Sequence, residues 1–176
     1  MITIQLLPLK WGYHAVIDDT DAPLVAPYVW TAKITKKKNG RIAVYATRWT
    51  QDAAGNRRRI MMHADLLGFR EGCEIDHRNG DTLNNRRGNL RFASREQNQW
   101  NAGRRLDNTS GFKGATYDAS TRGTKKWKAS IQYRGKRKTI GRFTTAEEAA
   151  DAYDAEAIRL FGEFARPNCH RVDTGA

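Results

Sequence analysis

The sequence predicts an α+β protein: a β-rich N-terminal region with a strand–loop–strand–helix unit, then a three-stranded antiparallel sheet packed on one α-helix. Three observations carry this. Trp127, Ala129, Ile131 and Tyr133 alternate with Lys128, Ser130 and Gln132, the period of a strand with one apolar and one polar face. Ala146, Ala149, Ala150, Tyr153, Ala157, Leu160 and Phe161 recur at helical spacing. Between residues 73 and 101, two short strand-like segments flank a polar, glycine-punctuated loop and lead into a capped helix.

Taken in order, residues 2–6, 13–17, 30–35 and 42–49 are rich in β-branched and aromatic side chains and read as strands. The Asn39-Gly40 pair within 36–40 signals a hairpin turn, and 52–56 a second turn. Pro23 and Pro27 confine any helix over 21–28 to about a turn. Residues 62–68 read as a brief helix closed by Gly68. A short strand over 73–77, a loop over 78–88 and a strand over 89–93 follow. Ser94 and Gln97 then form the capping box of a helix reaching Trp100.

Residues 101–111 read as a linker. Beyond it, 112–117, 126–133 and 138–143 read as three strands, the last two joined by a tight turn at Arg134-Gly135-Lys136. Thr145 and Glu148 cap the final helix, and Gly162 ends it. The alanine stripe predicts close packing against the apolar back of the sheet.

Charge points to the partner. The 176 residues carry 31 Lys and Arg against 19 Asp and Glu, a net +12. From Arg104 to Arg142 twelve basic residues face only Asp107 and Asp118, whereas from Thr145 to Ala165 six acidic residues face only Arg159. Such polarity orients a module on a polyanion, with nucleic acid ahead of membrane because no basic amphipathic helix or long apolar run is present. Two isolated cysteines, Cys73 and Cys169, argue against a disulfide framework or zinc ribbon. No secretory layout opens the chain, so a cytoplasmic setting is expected. No obligate protein partner is evident.

The sharpest pattern is Asp76-His77 at a strand end, Asn89 twelve residues after His77, and Asn98 nine residues further. The run from Asp76-His77-Arg78-Asn79-Gly80 through Leu83, Asn84-Asn85-Arg86-Arg87 and Asn89-Leu90-Arg91 resembles the HNH endonuclease family, specifically the homing type borne by phages and introns. The resemblance spans about 62–101. It implies a ββα-metal motif at about 73–101 within a nuclease domain over 1–101, with 102–111 as linker. It also implies that His77 activates water and that Asp76 and Asn98 hold one divalent metal ion, Mg²⁺ with Mn²⁺ as the alternative. Asn89 would fix the orientation of His77. The chemistry agrees: an imidazole with a pKa near ~6.5 is an uncharged base at neutral pH, and Mg²⁺ favours oxygen ligands while keeping several waters. Adjacent strand residues point to opposite sides, so Asp76 and His77 converge only where the strand bends or ends. Arg86, Arg87 and Arg91 are expected phosphate contacts, and His63 a structural or peripheral neighbour.

Residues 108–168 resemble the APETALA/ethylene-response-factor DNA-binding domain, in Ser110-Gly111-Phe112-Lys113-Gly114, Trp127-Lys128-Ala129-Ser130-Ile131, Ile140-Gly141-Arg142-Phe143 and the stretch from Thr145 to Asp154. In that family a sheet enters the major groove, which is about 12 Å wide. The resemblance implies a DNA-binding domain over 112–168, with contacts from Lys113, Thr116, Ser130, Gln132, Arg137 and Thr139. Strand alternation adds Lys128. Several arginines and a tryptophan of the plant members are missing, so their target sequence does not transfer.

The expected function is therefore metal-dependent hydrolysis of double-stranded DNA, nicking one strand per active site, with dimerisation on DNA as one route to a double-strand break. The competing expectation is a non-catalytic DNA-binding regulator with a vestigial nuclease domain. An RNA-directed protein is a third.

Overall fold

A computed structural model of the chain describes residues 1–5, 12–36 and 40–168. Its contacts separate two compact units, Met1–Asn98 and Gln99–Ala176. The expected turn at 36–40, the end of the first strand at Leu6 and Cys169 fall partly or wholly outside the described residues. None of the described helices is long and apolar enough to cross a membrane.

In the first unit, β1 (Ile2–Gln5) and β2 (His14–Ile17) pair antiparallel, Ile2 opposite Ile17. A 3-10 turn over Asp19–Asp21 runs into α1 (Ala22–Val25), one turn long, as its proline-rich sequence dictates. Then β3 (Thr31–Lys36), β4 (Ile42–Gln51) and β5 (Arg57–Met61) form an antiparallel sheet in chain order, followed by α2 (Met62–Leu67). The turn before β5 closes on Asp52, whose Oδ1 accepts the N–H groups of Ala54 (3.0 Å) and Asn56 (2.9 Å). β5 falls outside the strands expected from the sequence. It is a paired strand whose ladder to β4 supplies the hydrogen bonds, and Arg57 and Arg59 lie over the Trp49 ring at 5.0 and 4.6 Å.

β6 (Glu74–His77) and β7 (Leu90–Ala93) make a two-stranded antiparallel ribbon that leads into α3 (Arg95–Trp100). The capping box forms: Gln97 N–H donates to Ser94 Oγ (3.1 Å), and Ser94 N–H to Gln97 Oε1 (2.7 Å). A core of Ala15, Ile17, Val25, Trp30, Ala46, Met62, Leu66 and Leu90 joins these elements, with Ile75 and Leu83 packed on it. Residues on either side of the β6–β7 loop are thus pinned by apolar burial, the dominant favourable term in folding.

The second unit is a three-stranded antiparallel sheet, β8 (Ala115–Tyr117), β9 (Trp127–Tyr133) and β10 (Lys136–Phe143), with β9 central. α4 (Ala146–Phe161) carries the Thr145/Glu148 capping box and buries Ala146, Ala149, Ala150, Tyr153 and Ala157. β8 starts at Ala115 rather than residue 112, because the preceding segment turns at Gly114 (φ +84°) under Tyr153. A Cβ there would fall 2.0 Å from the Tyr153 ring, so a side chain is excluded by space as well as by backbone conformation. A register shift between Thr139 and Gly141 lets Phe143 pair with Trp127 while Ile140 packs on the apolar cluster of Ala115, Ala129 and Ala149.

Candidate active site

The loop between β6 and β7 is polar, and it is ordered by its own side chains. Asn79 Oδ1 accepts the Asp81 N–H (2.9 Å) and Asp81 Oδ1 accepts the Leu83 N–H (3.0 Å), two successive Asx turns. Asn89 ties the two ends together. Its Oδ1 accepts the Asn79 N–H (3.0 Å), its carbonyl accepts the Arg78 N–H (2.8 Å), and its Nδ2 donates to the Asn84 carbonyl (2.7 Å). The backbone leaving His77 is therefore held by Asn89 through residues 78 and 79.

The loop is also fastened to the N-terminal strands. Val16 N–H donates to the Leu83 carbonyl (2.8 Å), Asn85 N–H donates to the Val16 carbonyl (2.7 Å), and Thr82 Oγ1 donates to the Val44 carbonyl (2.7 Å). Arg86 pairs with Asp18 (2.8 Å), and Arg87 pairs with Asp21 (2.7 Å), whose carboxylate is buried. Both guanidinium side chains remain about half exposed, so each is a brace first.

His77, at the last position of β6, is 5% exposed. Its Nε2 lies 3.3 Å from Asn85 Oδ1, and its ring meets those of His63 (centroids 5.1 Å apart) and Tyr45 (6.4 Å) edge to face. Burial, with a smaller contribution from His77, lowers the His63 pKa to about 4, so His63 is neutral wherever His77 would act as a base. Burial and Glu74 push the Tyr45 phenol above its usual range. Strand alternation alone gave no reason to expect Asn85 or Tyr45 here, since one sits in a loop and the other on a strand far away in sequence.

Asp76 leaves β6 on the other face and meets its cross-strand partner Arg91, whose Nε and Nη2 both donate to Asp76 Oδ2 at 2.9 and 2.8 Å. Both side chains are buried. Arg91 is thus corrected from an expected phosphate contact to the internal counter-ion of Asp76: a guanidinium with 6% side-chain exposure is spent on neutralising a buried carboxylate. Asn98, on α3, donates from Nδ2 to Glu74 Oε2 (2.6 Å), which turns its Oδ1 away from Glu74. Glu74 stands two residues before Asp76, hence on the same face of β6. The sequence reading did not single out Glu74, and this spacing is the signal that could have found it.

Glu74 and Asp76 share this face of β6, and the Asn98 amide is bonded to Glu74. All are hard donors, few in number, and suited to an ion that keeps its waters. Among the described residues, no group of three or more His, Cys, Asp and Glu side chains is gathered to hold a metal ion. A cation here would rely on Asp76, the Asn98 amide and solvent, in competition with Arg91 for Asp76.

In the second unit the register sorts the expected contacts. Thr116 pairs with Lys128, Arg137 with Gln132, and Thr139 with Ser130, so these six share the face opposite Ala129 and Ile131. Arg142, which pairs with Lys128, joins them and was not anticipated as a contact; it is tied to Asp118 (2.8 Å). Arg137 Nη2 donates to Ser130 Oγ (3.0 Å). Lys113 is a correction. Its Nζ donates to the Trp100 carbonyl (2.7 Å), and burial lowers its pKa to about 8, so its ammonium serves the interior of this unit and not the sheet face.

A buried imidazole ends one strand of the ribbon, beside a clamped polar loop and with Glu74 and Asp76 on the opposite face. Residues 70–100 match the family described as HNH endonuclease. The chain is 37% identical over 94 residues to the uncharacterized HNH endonuclease L560 of Acanthamoeba polyphaga mimivirus, a match covering 53% of this chain and 46% of that protein. It is 32% identical over 96 residues to Protein 3.8 of Escherichia phage T7, covering 54% of this chain and 76% of that one. The chain thus carries an HNH endonuclease domain over residues 70–100. It spans about half the length of the mimivirus relative, and the family match stops at residue 100, ahead of the C-terminal sheet. No solved structure matches the chain.

Proposed function

We propose that this protein is a metal-dependent endonuclease that hydrolyses phosphodiester bonds in double-stranded DNA, nicking one strand per active site. The observation that carries the reading is His77: a histidine at a strand end, with its ring fixed by Asn85 and its outgoing backbone fixed by Asn89. A fixed neutral imidazole is what base-assisted attack of water on phosphorus requires. Asp76 and Asn98 would hold one divalent cation, Mg²⁺ or Mn²⁺, which when bound would neutralise charge on the scissile phosphate. Asn89 holds the loop in register behind the base. Arg86 and Arg87, half exposed beyond their carboxylate partners, can still offer N–H groups to a phosphate.

The C-terminal sheet would choose the location. Thr116, Lys128, Ser130, Gln132, Arg137 and Thr139 share one polar face, and in the resemblance drawn from the sequence such a face lies in the major groove. Gln132 suits adenine and Arg137 guanine by paired hydrogen bonds.

The test is conversion of supercoiled plasmid to open circles with Mg²⁺ present. His77→Ala should lower the rate by about 10²–10⁴-fold, the usual weight of a general base. Unchanged nicking in that variant would overturn the assignment. One observation favours a second reading, a DNA-binding regulator with a retired nuclease: the Asp76 carboxylate is already occupied by Arg91. Metal-independent DNA binding without cleavage of any substrate would select that reading.

A further inference from the structure

We infer that Trp49, Arg57 and Arg59 form a contact site for the phosphate backbone of duplex DNA, on the face of β4 and β5 that also carries Tyr45 to His77. The inference rests on the nuclease reading for its ligand and adds to it a binding site outside the β6–β7 ribbon. Register sets the face. Trp49 pairs with Arg59 and Gln51 with Arg57 across β4 and β5, so these side chains project together, while Arg58 projects the other way. Tyr45, four residues before Trp49 on β4, lies on the same face, and its ring meets that of His77. At about 3.3 Å per residue the two aromatic positions are roughly 13 Å apart along the strand, a span of a few base pairs of duplex.

Chemistry names the ligand. Arg57 and Arg59 lie over the Trp49 ring at 5.0 and 4.6 Å, both are exposed, and among the described residues neither has a carboxylate partner. Asp52, in the adjoining turn, spends its carboxylate on the N–H groups of Ala54 and Asn56 and on the Asn56 amide. Arg48, on the opposite face of β4, is the contrast. It too lies over an aromatic ring, that of Tyr28 at 3.9 Å, but it is bonded to Asp65 and its side chain is 14% exposed. That arginine serves the fold. Arg57 and Arg59 keep their charge in solvent, and the indole holds both guanidiniums in place before any ligand arrives. A planar guanidinium matches phosphate by paired hydrogen bonds, so two of them on one ring suit a phosphodiester chain. Charge on an edge strand also deters unwanted pairing, but that role asks only for exposure and does not require both guanidiniums on one indole.

The full chain is tested with a short DNA duplex in EDTA, so that binding is read without cleavage. Arg59→Gln should reduce the slope of log affinity against log salt by about 0.9, one phosphate contact, and Arg58→Gln, on the other face, should leave it unchanged. Trp49→Ala keeps both charges, so the slope should hold while affinity falls about two- to fivefold. On plasmid with Mg²⁺, Arg59→Gln should raise KM at unchanged kcat, the mark of lost uniform binding. Equal slope changes in Arg58→Gln and Arg59→Gln would mean bulk charge and would overturn the site. Where a variant fails to fold, the unaltered chain decides: duplex DNA should protect Arg57 and Arg59, and not Arg58, from phenylglyoxal, read by peptide mass spectrometry. Full modification of Arg57 and Arg59 in the DNA-bound chain overturns the inference. Equal protection by polyglutamate overturns it too, since the partner would then be an acidic protein surface. A chain that shows the DNA protection and nicks no DNA sinks the nuclease reading and leaves the site standing.

Discussion

The loop of the first unit and the sheet face of the second are both polar surfaces, built by different means. Between β6 and β7, Asn79, Asp81, Asn84, Asn85 and Asn89 bond to backbone groups, mostly within a few residues, and those bonds are the structure. On β8, β9 and β10 the polar side chains share a face because backbone pairing and the strand period put them there. The loop is thus rigid through its side chains, and substitutions in it should change folding and function together. The sheet face is rigid beneath its side chains, so substitutions there should change partners and leave the fold alone.

The largest effect is expected where the first unit has buried charge. In Arg91→Ala the Asp76 carboxylate stays buried without its guanidinium, a loss of about 3–5 kcal/mol in urea-monitored unfolding. Arg91→Lys should recover only part of it, since an ammonium cannot reproduce the Nε and Nη2 fork on one oxygen. A loss below about 1 kcal/mol, the level of an exposed pair, would mean that solvent reaches Asp76 and that the contrast between the two surfaces is overstated.

Acid should find the same unit. His63 is neutral in the folded chain with a pKa lowered to about 4, whereas an unfolded histidine titrates near ~6.5. Between those values the unfolded state binds the extra proton, so stability is full above about pH 6.5 and falls as pH drops towards 4, then levels for this group. The effect amounts to roughly 1–3 kcal/mol. Unfolding measured from pH 7 to 4 should show it, and His63→Asn should flatten the curve over that window. An identical slope in the variant would assign the acid sensitivity elsewhere.

What the sequence disclosed follows the same division. Period-two alternation placed Lys128, Ser130 and Gln132 on one face of β9, and the capping boxes at Ser94 and Thr145 marked two helix starts, because each signal is local. The motif brought His77, Asp76, Asn89 and Asn98 to notice by spacing. It was silent on Asn85, since the Asn85–His77 contact depends on how Val16, from a distant strand, seats the loop. Arg91, expected as a phosphate contact, and Lys113, placed on the DNA face by the resemblance, both differ in the structure because only tertiary partners reveal Asp76 and the Trp100 carbonyl beneath them. β5 stayed hidden because arginines that cover a neighbouring tryptophan look, in sequence, like arginines that cover nothing.

The smallest expected effect tests the sheet face most directly. Lys128 and Gln132 stand four residues apart on β9, one charged and one neutral, on the same face. If that face meets DNA, Lys128→Ala should weaken binding to all duplexes and flatten the salt dependence of the binding constant by about one counter-ion. Gln132→Ala should leave that slope alone and relax preference at a single base pair, worth about 1–3 kcal/mol of discrimination. Neither variant should alter thermal unfolding, since neither side chain takes part in the apolar cluster of Ala115, Ala129 and Ala149. Titrations at several salt concentrations separate the outcomes. If both variants bind with the wild-type slope and the wild-type preference, the polar face is a solvated surface, and the positive charge of this unit meets nucleic acid somewhere else.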